Sequence, residues 1–119
     1  MAKEAKTLKT RDEVPEELTW RLEDIFATDD LWEKEYKALE ADISKIEAYQ
    51  GRLGESAQVL YEVFSLQDEL SERLGKLYTY AHMRYDQDTT NSFYQAMNAC
   101  ADNLLTMLLA AIRFIFPVI

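Results

Sequence analysis

The chain has 119 residues, enough for one domain around a single hydrophobic core and too few for two. Apolar residues make up 48% and charged residues 29%, with only three Gly and two Pro, which excludes a turn-rich fold and favours few, long elements. Its 13 basic and 22 acidic side chains leave a formal charge of −9, a field that repels phosphate backbones and anionic membrane surfaces, so neither nucleic acid nor a membrane is expected as a partner.

Residues 1–14 are polar, charged and without a sustained period, and read as a flexible lead-in. The basic side chains there (Lys3, Lys6, Lys9, Arg11) run directly into Asp12, Glu13, Glu16 and Glu17, a solvated terminus and not a nucleic-acid patch. Pro15 suits the first position of a short helical turn whose positive end is met by Glu16 and Glu17. Trp20, Leu22, Ile25 and Phe26 follow as expected packing residues.

The spacing predicts an all-α fold of three long antiparallel helices, over about 28–50, 56–85 and 91–115. The first begins at Thr28, whose hydroxyl can accept from an orphan amide, with Asp29 and Asp30 in the positive first turn. Trp32, Tyr36, Leu39, Ile43 and Ile46, at steps of 4, 3, 4 and 3, draw one apolar stripe along it. Gly51 and Gly54 supply the freedom to turn the chain, and Ser56 caps the second helix. There Val63, Leu66, Leu70, Leu74, Leu77 and Ala81 form the stripe, widened by Leu60, Phe64, Tyr78 and Tyr85. Gly75 inside it costs about 1 kcal/mol relative to Ala, which leads us to expect a close helix crossing there. Asn91 or Thr90 caps the third helix, which continues through Phe93, Tyr94, Met97, Ala101, Leu104 and Leu108 and ends before Pro117.

Charge is distributed unevenly. Residues 89–119 carry only Asp102 and Arg113, so the third helix is apolar on nearly every side. Two amphipathic neighbours cover only part of such a helix, and the remainder calls for another partner. Residues 104–119 fall short of the roughly 20 apolar residues needed to span a bilayer, and they contain Arg113 and Pro117.

Candidate chemistry is sparse. His82 is the only imidazole, so a zinc site needing two or three His ligands, HExxH included, cannot be built within the chain. The expected role of His82 is that of a hydrogen-bonded structural residue; an acid-base role would need a pocket and partner that the residues do not identify. Asp86, Asp88 and Asn91 share a loop but fail as a calcium loop, because Asn91 stands where Gly is required and Met97 where the bidentate Glu is required. Tyr78, Tyr80, Tyr85, Phe93 and Tyr94, at helical spacing, read as core. Cys100, the only Cys, cannot form an internal disulfide and reads as a small buried hydrophobe in a reducing, cytoplasmic protein. No catalytic, cofactor-binding or metal-ligating residue is assigned.

Several blocks, in order, resemble the N-terminal region of the oligoendopeptidase F family: RDEVPEELTWRLEDIF (11–26), DDLWEKE (29–35), GRLGESAQVLYE (51–62) and LSERLGKLYTYAHMRYDQDTTNSFYQAM (70–97). The most specific are Pro15 to Trp20 and the run from Tyr80 through Arg84, Asp86 and Asp88 to Thr89, Thr90 and Asn91. The resemblance implies the helical N-terminal domain (15–119) of a zinc metallopeptidase of several hundred residues that cuts short peptides. Its HExxH and further Glu ligand would lie on helices outside this chain. It also implies that this part walls an internal channel admitting oligopeptides, supplies no catalytic group, and has the catalytic domain as its partner. The family usually has an acidic residue after the proline corresponding to Pro117, where this chain has Val118; the end at Ile119 reads as a cut. The alternative is a free-standing helical interaction module. Either reading predicts self-association of the isolated chain through residues 91–119.

Overall fold

The computed structural model describes residues 9–115, and among them there are three long helices and no strand. Helix α1 (Asp29–Glu47), α2 (Ala57–Gln87) and α3 (Ser92–Ile112) follow one another through short turns, so neighbours in sequence run antiparallel and all three pack together. Three short 3₁₀ turns precede them: Arg11–Glu13, Glu16–Leu18 and Leu22–Asp24.

Each long helix starts where a side chain can satisfy an amide that the helix leaves unpaired. Thr28 Oγ1 accepts from Leu31 N at 3.2 Å, Ser56 Oγ accepts from Val59 N at 3.1 Å, and Asn91 Oδ1 accepts from Phe93 N at 2.9 Å and Tyr94 N at 3.2 Å. Between α1 and α2, Gly51 turns the chain at φ 81°, a backbone region that side chains disfavour. Between α2 and α3, Asp88 Oδ1 accepts from both the amide and the hydroxyl of Thr90, closing a tight turn before the Asn91 cap.

The core is one cluster. Leu39, Ile43 and Ile46 of α1 meet Val63, Leu70, Leu74 and Leu77 of α2 and Met97, Ala101, Leu104 and Leu108 of α3. Trp32 is buried at its upper end, stacks on Tyr36, and donates its indole N–H to the Leu77 carbonyl across the α1–α2 seam at 2.9 Å. Leu22 brings the lead-in onto the same core, with Ile25 and Phe26 packed at its margin.

Three sequence-based expectations change. Trp20 does not pack: it is 79% exposed, and Leu22 is the side chain of its segment that turns inward. Gly75 marks no crossing, because it faces solvent between the inward Leu74 and Leu77 and a methyl group there would meet nothing within 4 Å. Cys100 is exposed, one position short of the buried stripe that passes through Ala101. The expectation that two neighbours cover only part of α3 holds, since Phe93, Met107 and Leu109 are 55%, 37% and 57% exposed. Pro117 lies outside the described residues.

Candidate functional site

Beyond the core, three polar assemblies and a bare apolar flank of α3 stand out among the described residues. The first assembly sits at the same end of the α1–α2 seam as Trp32. Tyr80, fully buried, donates its hydroxyl to Asp29 Oδ1 at 2.5 Å; Arg84 Nε lies 3.2 Å from both the Tyr80 oxygen and Asp29 Oδ1. Burial, then the bond to Asp29, pushes the Tyr80 phenol up to about 12. The Arg84 guanidinium also lies over the rings of Tyr80 and Tyr94, tying the start of α3 to the end of α2.

Arg73 of α2 holds the second assembly, reaching across to two acids of α1. Its Nε donates to Glu35 Oε1 at 2.6 Å and its Nη1 to Asp42 Oδ2 at 2.7 Å. Glu35 and Asp42 are seven residues apart, so two helical turns put them on one face. The Arg73 hydrogen bond, with help from Lys45, holds the Asp42 carboxyl below the usual carboxylate range.

The third assembly lies on the α2–α3 seam and contains His82. Its ring rests on Tyr78, with centroids 4.2 Å apart, and its Nε2 is 3.8 Å from Asp102 Oδ1, too far for a hydrogen bond. That nitrogen and Asn98 Oδ1 are buried atoms without a hydrogen-bond partner. The expectation of a hydrogen-bonded structural His82 is therefore met only in its position between two helices. Asp86 and Asp88 do not converge with a third ligand, and among the described residues no group of three or more His, Cys, Asp or Glu side chains is placed to hold a metal ion. Tyr80 and Tyr94 are drawn into the arginine assembly, whereas Phe93 points outward.

Across the other seam, Tyr36 of α1 reaches the Cys100 thiol, and burial pushes the Tyr36 phenol up to about 12, with Cys100 and Glu40 adding to the rise. Beyond that rim lies the flank of α3 that no other described element covers. Periodicity signalled that the helix was too apolar to be satisfied by two neighbours, although it did not say which side would remain bare. The bridging role of Arg73 gave no signal, because its partners are 38 and 31 positions away.

The Peptidase M3 N-terminal domain model matches residues 29–112, from the first residue of α1 to the last of α3. The Oligopeptidase PepF of Bacillus subtilis (strain 168) is 51% identical over 115 residues. The chain belongs to the oligoendopeptidase F family, as an N-terminal domain. The alignment with the Bacillus subtilis protein takes in 97% of this chain and 17% of that protein. Group B oligopeptidase PepB of Streptococcus agalactiae serotype III (strain NEM316) is 38% identical over 90% of this chain and 18% of its own length. The chromosomal oligoendopeptidase F of Lactococcus lactis subsp. cremoris is 40% identical over 74% of this chain and 15% of its own. The chain thus spans less than a fifth of the length of these relatives. No solved structure matches it. Among the described residues no helix is long and apolar enough to cross a membrane.

Proposed function

We propose that this domain helps wall the substrate channel of an oligoendopeptidase F-like zinc metallopeptidase, giving the channel shape and leaving the chemistry to the rest of the enzyme. The observation that carries this reading is the family match combined with its extent: relatives named as oligopeptidases share this domain over only 15–18% of their length. The residues present do not suit a hydrolytic zinc. The lone imidazole, His82, faces one distant carboxylate, and no second histidine exists to complete a ligand set. No step of hydrolysis is assigned to these side chains, and the metal's ligands belong, in this reading, to the catalytic domain.

A rigid helical wall suits such a role. The α1–α2 pair is fixed by the Trp32, Arg73 and Tyr80 contacts, which would hold a channel surface in place without a ligand. Oligopeptides would meet this domain only as part of the assembled enzyme. The single Cys fits a reducing, cytoplasmic setting. In isolation the chain is expected to self-associate through residues 91–119, because Phe93, Met107 and Leu109 are left partly in water.

The test is a domain exchange. The 115 matched residues of the Bacillus subtilis protein are replaced with this chain, and cleavage of internally quenched peptides of increasing length is followed beside folded globular proteins. The expected result is hydrolysis of short peptides by the exchanged enzyme, abolished by a chelator, with none by the 119-residue chain alone. Chelator-sensitive hydrolysis by the purified chain would sink the reading.

A further inference from the structure

We infer that the flank of α3 running from Phe93 to Met107 is the seat of a helix contributed by the part of the peptidase that follows this domain. The inference rests on the reading of the chain as one part of a longer enzyme.

The side chains of α3 divide into two stripes. Met97, Ala101, Leu104 and Leu108 take the inward one and are buried. Ala96, Cys100, Asn103 and Met107, at steps of 4, 3 and 4, form a second stripe about a quarter turn away, and all four are exposed. With Phe93 at its head, this second stripe has the spacing that receives a helix. It carries no charge. The acid of α3, Asp102, lies on the opposite flank beside His82, so the open stripe is free of the desolvation cost that a buried charge would impose. The outward surfaces of α1 and α2 are mixed: Glu33, Lys34 and Lys37 on one and Asp68, Glu69 and Glu72 on the other are interspersed with exposed Leu31, Tyr61 and Phe64.

Two occupants compete for an uncharged helical stripe. A second copy would bring another body of charge −9 against the first, and it would have to do so at cellular concentration. A segment of the same polypeptide is present at an effective concentration on the order of millimolar, and relatives leave more than four-fifths of their length unmatched to supply it. Small side chains at Ala96 and Cys100 allow an interaxial distance near the short end of the roughly 8–10 Å range of packed helices. The covering helix should present an apolar stripe, with large side chains opposite those two positions.

Cys100 reports on the seat directly. Its thiol is exposed here, and it is the only one in the chain, so its rate of maleimide labelling measures whether the stripe is covered. The rate is measured by peptide mass mapping in the isolated chain, extrapolated to high dilution, and in the exchanged Bacillus subtilis enzyme. Labelling in the exchanged enzyme should be slower by about tenfold or more at every concentration, since the thiol must wait for local opening. Equal rates overturn the inference, and so does protection that disappears on dilution, because the cover would then be a second copy. Should the exchanged enzyme not fold, the remainder of the Bacillus subtilis protein is added to the isolated chain in trans; saturable slowing of Cys100 labelling supports the seat, and unchanged labelling overturns it. Peptide hydrolysis is scored separately, so an active exchanged enzyme with an unprotected Cys100 refutes the seat and leaves the proposed function standing. Protection without hydrolysis does the reverse.

Discussion

Replacing Arg73 with Met removes the guanidinium that bridges α1 and α2 while keeping most of the aliphatic stem. Fully buried, its two short charge-assisted bonds to Glu35 and Asp42 would be worth about 1.5–3 kcal/mol each. The side chains are not fully buried: Arg73, Glu35 and Asp42 keep 22%, 31% and 26% of their exposure, so water screens a good part of that. Loss of the cation also leaves two carboxylates turned toward one vacated position. The expected cost at pH 7 is about 2 kcal/mol, or roughly 8 °C in Tm for a domain of this size. Urea unfolding followed by circular dichroism should show a lower midpoint with an unchanged slope. Acid sharpens the test. The Asp42 carboxyl ionises below its ordinary value of 3.8 in the folded chain, chiefly because of Arg73, so its stabilisation is present above that pH and is lost as pH falls through the folded value. The gap between parent and variant should therefore narrow below pH 3.8. A gap under about 0.5 kcal/mol at pH 7, or one that stays constant into strong acid, would refute the bridge as a source of stability.

Gly75→Ala should raise the unfolding free energy by about 1 kcal/mol, because the position is exposed, mid-helix and open to a methyl group; a loss of stability in the same urea assay would show a contact that the geometry does not contain. At high pH the sign is the opposite of the Asp42 case. Tyr36 and Tyr80 ionise near 12 when folded and near 10.0 when unfolded, so the folded state binds more protons between those values and loses stability as pH rises through them. The Tyr36→Phe, Tyr80→Phe double variant should show a shallower fall over that range, and a fall as steep as the parent's would assign the alkaline loss to other groups.

Local chemistry was legible from the residues alone. Thr28, Ser56 and Asn91 cap their helices as their positions before apolar runs implied, since capping involves only the next three residues. The apolar stripes of α1 and α2 were equally legible, and so was the resemblance carried by Tyr80 to Asn91. What escaped depends on rotation and on distance along the chain. Cys100 and Ala101 differ by one step, about 100° around a helix, and that step separates solvent from core. Trp20 carries more apolar surface than Leu22, yet the 3₁₀ turn around Leu22 decides which of the two reaches inward. Gly75 invited a packing explanation because it costs helix stability, while its solvent-facing side could be known only once Leu74 and Leu77 had been placed.

The helices are joined unequally. The α1–α2 pair is pinned by directional contacts from Trp32, Arg73 and Tyr80, each of which would break if one helix slid a turn along the other. Across α3 the polar touches are fewer and weaker, the Arg84 guanidinium over Tyr94, His82 near Asp102 and Tyr36 at Cys100, and shape sets most of its register. A hairpin riveted on one seam and greased on the other lets the third rod settle against whatever lies on its far side while the first two keep their alignment.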